Sequence, residues 1–475
     1  MRPEFDLCVI GGGSAGLVVA AGGAGLGAKV VLVEKKALGG ECLWTGCVPS
    51  KALLHSAKVA HTVRIARREG VVAGEPKPDL PAAMARVRSV IETLEPHDSP
   101  ERFRGLGVEV VFGAGRFIDP GRFEVEGRIL SARRFVIATG SRPAVPPIPG
   151  LDRTPFLTNE TLFELREPVP RLVILGAGPI GMEMAQAFRR LGSEVEVLDT
   201  AEQALPKEDQ DLASLVERRL AEEGVRFSLG CEALEAAPTP KGIRLRARDE
   251  GGGERRIEGS HLLIAVGRKP NLEDLGLDAA GVALEHGRLV LDARLRTANR
   301  RIYACGDAAG PFLFTHTAEH QAGVVLRNAL FHWPARAETR AVPWCTFTDP
   351  ELARVGLSER EAAERGIPHR VYGFDFENLD RAVTDGALPG RAKLVTSPRG
   401  KILGAAIAGA GAGELIHEYV LAMRQKLKVS DLAGTIHVYP TLAQVNRRLA
   451  EQRLKAGLTP AAQRWIKRIF GLRGA

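Results

Sequence analysis

The sequence predicts an α/β protein with two dinucleotide-binding units and a mixed α+β domain behind them. Three observations carry this. A strand, glycine turn, helix, strand and acid series occurs twice, with first glycines Gly11 and Gly176 roughly 165 residues apart. The 475-residue chain is longer than one core fills, since single cores stop growing near about 250 to 300 residues. From about Val342 onward, strand and helix patterns mix with no nucleotide signature.

The first unit reads strand Leu7 to Ile10, turn Gly11-Gly12-Gly13-Ser14-Ala15-Gly16, helix, then strand Val30 to Val33 ending in Glu34. In such a Rossmann-like unit Gly11 permits the turn and Gly13 lets the backbone approach a pyrophosphate. Gly16 lets helix and strand pack closely, and the acid accepts from a ribose hydroxyl. Leu7 to Ala28 is uncharged and long enough to be mistaken for a membrane span, but eight of its residues are glycine, placed as a phosphate turn places them. With the first strand beginning by Asp6, no leader or signal segment is expected.

Cys42 and Cys47 come next, five positions apart in Cys42-Leu43-Trp44-Thr45-Gly46-Cys47, ahead of Val48-Pro49-Ser50-Lys51. In a regular helix residues five apart have Cα atoms roughly 8 to 9 Å apart, too far for a disulfide. A bridge therefore needs a distorted first turn, with Gly46 at the distortion. A strained bridge is easily reduced, so the expected role is a redox pair. Two buried thiols that never pair are the other reading, and a structural zinc site lacks its second ligand pair.

A buried strand, Phe135 to Ala138, then runs into Thr139-Gly140. Pro-rich stretches at Pro143 to Pro149 and Glu167 to Pro170 mark crossings between domains. The second unit follows as strand Leu172 to Leu175, turn Gly176-Ala177-Gly178-Pro179-Ile180-Gly181, helix, and strand Glu194 to Leu198 ending in Asp199. Two dinucleotides are implied. Strand Leu262 to Val266 leads to Gly267-Arg268, and Ile302 to Cys305 delivers Gly306-Asp307 toward a ligand. Near the end, Thr459-Pro460 starts a helix with Trp465, Ile466, Ile469 and Phe470 on one face, flanked by Arg464, Lys467 and Arg468. Packing on its own dimer is the preferred reading of residues 459–475, with peripheral contact to an anionic membrane next.

Composition narrows the class. Six scattered cysteines do not make a secreted disulfide framework, so a cytoplasmic setting is expected. The net charge of +8 is spread among 57 acidic residues and reads as a solvated surface, without nucleic-acid binding.

The ordered series of motifs resembles the pyridine nucleotide-disulfide oxidoreductases, which include lipoamide dehydrogenase, glutathione reductase and mercuric reductase. The resemblance rests on the first turn with Glu34, Gly39-Gly40-Glu41-Cys42 through Lys51, Ala138 to Pro143, the second turn, Val266-Gly267-Arg268, Cys305-Gly306-Asp307 and Thr348 to Glu351. It implies a homodimer, with FAD bound by 1–150 and 271–341, NAD(P)H by 151–270, and an interface domain over 342–475.

By position, Gly11, Gly13, Ser14, Gly16, Glu34, Gly40, Lys51, Thr139, Gly140, Gly306 and Asp307 are then expected on FAD. Gly176, Gly178, Ile180, Gly181, Asp199 and Gly267 are expected on the nicotinamide nucleotide. Lys51 is expected near the flavin ring, paired with Glu183. Cys47 is expected against the flavin and Cys42 as the thiolate that attacks an acceptor. Asp199, with Thr200, Ala201 and Glu202 after it and no arginine, favours NADH over NADPH.

One departure bears on the acceptor. Thiol-disulfide members of the family carry a His and, five residues on, a Glu; here Tyr439 and Gln444 stand at those positions. A phenol titrates near 10 and an imidazole near 6.5, so Tyr439 is a poor proton acceptor at neutral pH. His437, two residues away, is the candidate substitute. A tyrosine here is similar to mercuric reductase, where Cys42 and Cys47 would be transient Hg(II) ligands and no structural metal is needed, although the C-terminal cysteine pair of those enzymes is missing after Cys345. The leading expectation is an FAD-dependent, mercuric reductase-like enzyme acting on Hg(II) or a disulfide, with dihydrolipoamide dehydrogenase as the alternative. A flavin redox sensor or membrane-docked electron-transfer partner is the reading from a different class.

Overall fold

The structure, a computed structural model, describes residues 3–331 and 334–474. Its first sheet has a parallel section ordered Val108–Phe112, Val30–Glu34, Phe5–Ile10, Arg128–Ile137 and Ile302–Ala304. Antiparallel strands Gly115–Asp119 and Arg122–Val125 continue it from the long Arg128–Ile137 strand. The parallel strands are apolar along both faces because helices cover one side and the antiparallel strands with residues 272–289 the other; Leu7, Val31, Leu32, Val136 and Ile302 are fully buried. The last of these strands joins from far downstream, after the whole second unit.

That second unit is a four-stranded parallel sheet ordered Val225–Ser228, Glu194–Leu198, Arg171–Leu175 and His261–Ile264. A three-stranded antiparallel meander, Cys231–Thr239, Gly242–Asp249 and Glu254–Gly259, packs on one of its faces. The third sheet is antiparallel, ordered Pro343–Thr346, Glu351–Gly356, Ile402–Gly409, Arg391–Thr396 and Arg370–Asp375, and helices including Gln444–Gly457 bury its apolar face around Tyr419 and Phe376.

Two expected strands stop early, for one shared reason. The Phe135 strand ends at Ile137 and the Leu262 strand at Ile264, each just before the backbone passes a glycine turn. A Cβ on Gly11 would meet the Ala138 carbonyl oxygen at 2.3 Å, and one on Gly176 would meet that of Ala265 at 2.4 Å. Both glycines have positive φ, 107° and 109°, so the turn needs glycine for space and for conformation.

The segment that reads as uncharged and glycine-rich forms the strand Phe5–Ile10 and the 12-residue helix Ser14–Gly25. Among the described residues no helix is long and apolar enough to cross a membrane. The expected terminal helix forms over Pro460–Phe470, with the Thr459 side chain capping Ala462, and none of its residues is buried in this chain.

Candidate redox site

Cys42 and Cys47 lie on two helices, not in one distorted turn. Gly40–Trp44 ends at Thr45, and Cys47 opens the 19-residue helix Cys47–Ile65. The complete break at Gly46 corrects the expectation of a bent first turn. The break needs glycine, since a Cβ on Gly46 would meet the Glu41 carbonyl oxygen at 2.9 Å. No bond joins the two sulfurs in this structure, so its geometry describes the dithiol.

The two sulfurs are electrostatically unequal. The Cys42 thiol donates to the Cys47 sulfur, and this hydrogen bond, more than anything else, holds Cys47 well below the ordinary thiol range. The Thr315 hydroxyl, 3.5 Å from the Cys47 sulfur, and the Lys51 ammonium pull the same way, against burial and Glu183. Cys42 is pushed up, by the same hydrogen bond and by burial. Cys47 also sits at a helix N-terminus, where aligned backbone N–H groups favour an anion. Thr315 likewise begins a helix, Thr315–Leu330, and brings its hydroxyl to the same sulfur.

Lys51, one turn along from Cys47, reaches out of its helix to Glu183 on the helix Pro179–Arg190, with Nζ 2.7 Å from Oε2. The second Glu183 oxygen accepts from the Phe347 backbone N–H at 2.9 Å, and the Lys51 ammonium lies 4.6 Å from the centre of the Phe347 ring. Segments far apart in the chain therefore meet at one ion pair.

One continuous cleft of about 2700 Å³ runs from the first glycine turn past the cysteines to the second. Of the predicted site residues, the cleft is lined by Gly11, Gly13, Ser14, Glu34, Gly40, Cys42, Cys47, Lys51, Thr139, Gly140, Gly306 and Asp307, and by Gly176, Gly178, Ile180, Glu183, Asp199 and Gly267. Gly16 and Gly181 stand behind it, where a Cβ would strike the turn carbonyl of Gly11 or Gly176 at 1.8 or 1.9 Å. Tyr439 and His437 are outside it in this chain.

The residues fit the two nucleotides. At the middle glycines, Gly13 and Gly178, a side chain would meet almost nothing of the protein: the nearest atom to a Cβ is 3.8 Å away at Gly13, and none lies within 4 Å at Gly178. That open space at each helix N-terminus is where a pyrophosphate belongs. The acids match as well. Glu34 accepts from the Gly12 N–H at 2.6 Å and the Lys36 N–H at 2.7 Å, and Asp199 from the Ala177 N–H at 2.6 Å and the Ala201 N–H at 2.8 Å. Each carboxylate is thus pinned beside its turn with lone pairs left for a ribose.

Several residues here carry no local sequence signal. Thr315 is one. Glu41, next to Cys42, is tied to Arg268 and accepts from the Asn159 amide at 2.8 Å, and burial pushes its carboxyl up to about 7 against the pull of Arg268. Arg268 also donates to the Ser141 hydroxyl at 2.8 Å, and that hydroxyl in turn donates to Asp307. Only the matched Gly267-Arg268 stretch hinted at this network.

At the other end, Tyr439 is 63% exposed and its hydroxyl donates to Asp380 at 3.0 Å, which raises the phenol further. His437 is held on both nitrogens, by the Glu418 carboxylate at 3.0 Å and the Thr435 carbonyl at 3.0 Å. Gln444 is buried at the start of the Gln444–Gly457 helix.

Comparison with known proteins agrees with this geometry. Residues 5–322 match the family described as pyridine nucleotide-disulphide oxidoreductase, and residues 342–450 match its dimerisation domain. A mercuric reductase of Bacillus cereus is 33% identical over 93% of this chain and 70% of its own length. A dihydrolipoyl dehydrogenase of Thermus scotoductus is 37% identical over 93% of this chain and 95% of its own. Among solved structures, the Cu(II) complex of the HOCl-induced flavoprotein disulfide reductase RclA from Escherichia coli superposes with a TM-score of 0.83 at 27% identity, covering 95% of this chain and all of the other.

Proposed function

The chain belongs to the pyridine nucleotide-disulphide oxidoreductases, flavoprotein enzymes that bind FAD and use NAD(P)H, and from that premise we propose that it passes electrons from NADH through Cys42 and Cys47 to a soft metal ion, Hg(II) being the type acceptor. The observation that carries the reading is a polarised dithiol with no imidazole–carboxylate partner at positions 439 and 444. Oxidising the dithiol to a disulfide releases two electrons and two protons. A disulfide acceptor must take up both protons, which calls for a base of moderate pKa. Reduction of Hg(II) to the metal takes two electrons and no proton, and the thiol protons pass to water as the sulfurs take up the cation, so a phenol hydrogen-bonded to a carboxylate is no handicap there.

FAD, held by the first turn, Glu34 and Asp307, supplies the two-electron carrier between nicotinamide and sulfur. The chain's own residues do the rest. Lys51, fixed by Glu183, holds positive charge beside Cys47 and keeps it as thiolate. Cys42 keeps its proton on the Cys47 sulfur until an acceptor arrives, and both sulfurs then face the cleft as soft ligands. Asp199 accepts from a free 2'-hydroxyl and repels a 2'-phosphate, favouring NADH.

The C-terminal half carries a dimerisation domain, and a homodimer brings Tyr439 of one subunit toward the other's cleft in this reading. The deciding experiment is anaerobic reduction by NADH followed by challenge with Hg(II), lipoamide and glutathione disulfide in turn. Reoxidation by Hg(II) alone is expected. Fast reoxidation by lipoamide that is lost in Tyr439→Phe would instead identify a dihydrolipoyl dehydrogenase, and reoxidation by none of the three would end the thiol-acceptor reading.

A further inference from the structure

We propose that the helix Pro460–Phe470 is a peripheral anchor that lies in the interfacial layer of an anionic lipid membrane. The inference concerns where the enzyme works and is independent of which acceptor it reduces.

At about 100° per residue, Ala462, Trp465, Ile466, Ile469 and Phe470 fall within one half of the helix circumference, and Arg464, Lys467 and Arg468 within the other. Among the described residues nothing buries the apolar half: Trp465 is 67% exposed, Ile469 51% and Phe470 68%. Unpartnered aromatic surface of this kind marks a contact with something apolar. The helix is also finished at both ends by its own atoms. Thr459 caps the start, and Gly471, with φ 63°, closes the end with its N–H on the Lys467 carbonyl. It is ready to dock as a unit.

Charge selects the occupant. After Glu451 the sequence has six basic side chains, Arg453, Lys455, Arg464, Lys467, Arg468 and Arg473, and no acidic one. A second copy packed on the same face would cover the rings and leave the cations without counter-charge. A nucleic acid would take the cations and leave Trp465 and Phe470 in water. An anionic bilayer surface satisfies both halves, with headgroups at the cations and acyl chains under the rings. Eleven residues at 1.5 Å each give about 16 Å, half of what spanning needs, so the helix lies along the surface. It also follows the dimerisation domain, which ends at 450.

The test is flotation of the full-length FAD-loaded enzyme with vesicles of phosphatidylcholine alone or with one third phosphatidylglycerol, at low and high salt. The full chain is expected to float with the anionic vesicles only, and to sediment at high salt. Each of Arg464→Gln, Lys467→Gln and Arg468→Gln is expected to weaken binding about fivefold. A chain ending at Gly457 should stay in solution with unchanged dimer size and unchanged NADH turnover, and Trp465→Gln with Ile469→Gln in the full chain should match it. Three results overturn the proposal: no flotation of the full chain, equal flotation of the shortened one, or loss of the dimer on shortening without flotation of the full chain, which would make the partner a second copy.

Discussion

The Lys51 ammonium lies 2.7 Å from a carboxylate oxygen of Glu183, joining the helix that begins at Cys47 to the helix that begins at the second glycine turn. The two charges act on Cys47 with opposite sign, Lys51 lowering its pKa and Glu183 raising it. Lys51→Met should therefore make Cys47 less acidic, and Glu183→Gln should make it more acidic, each by about one unit. The pH dependence of alkylation of the reduced enzyme reads both shifts, and a shift of the same sign in both variants would refute the opposition.

The thiolate form of Cys47 should persist well below the ordinary thiol range, with a midpoint of about 6. Because the folded value is depressed, its contribution to the stability of the reduced protein is complete above the ordinary thiol pKa. It is lost as pH falls through that midpoint. Thermal unfolding of the dithiol form from pH 8 down to 5 should show the loss, and Cys47→Ser should remove this component.

With FAD bound, Cys47→Ser should keep the yellow flavin and abolish long-wavelength thiolate charge-transfer absorbance. Cys42→Ser should keep that absorbance, because a serine hydroxyl can still donate to Cys47. Retention of the band in Cys47→Ser would reverse the assignment of the two sulfurs.

Asp199→Ala removes the acceptor pinned by Ala177 and Ala201. NADH use should fall about tenfold in kcat/KM while NADPH use changes little or rises, since one hydrogen bond to a charged group is worth about 1.5 to 3 kcal/mol. Equal loss for both nucleotides would mean that Asp199 only shapes the turn.

Arg190 is 3% exposed and pairs with Glu223 at 2.6 Å and Asp349 at 3.0 Å, tying the second nucleotide unit to the third sheet. Glu223→Leu leaves that guanidinium buried with its partly exposed partner only, and should destabilise by about 3 kcal/mol or more. A fall in thermal midpoint, larger than for Glu223→Leu combined with Arg190→Met, checks this.

The nucleotide units were legible from the sequence because their physics is local. A glycine with positive φ, a glycine with open space beside it, a glycine pressed on a carbonyl and an acid twenty-odd residues on all follow from one short stretch. The cysteine pair was legible by spacing alone. The break between two helices at Gly46 was not, because the close approach of the Glu41 carbonyl appears only in the folded backbone. Thr315, Phe347 and the Glu41–Arg268–Ser141–Asp307 network were hidden because the partners are 127 to 268 residues apart in sequence.

The sequence by itself determined the fold class and the two nucleotide turns and pointed to Cys42 and Cys47 as the candidate redox pair, since each depends on residues near one another along the chain. Only the tertiary structure decided which sulfur carries the negative charge. That inequality depends first on how the Cys42 thiol is set against the Cys47 sulfur, then on the Thr315 hydroxyl and the Lys51 ammonium, with Glu183 opposing, and electrostatic interactions fall off with distance in space, whatever the distance along the chain.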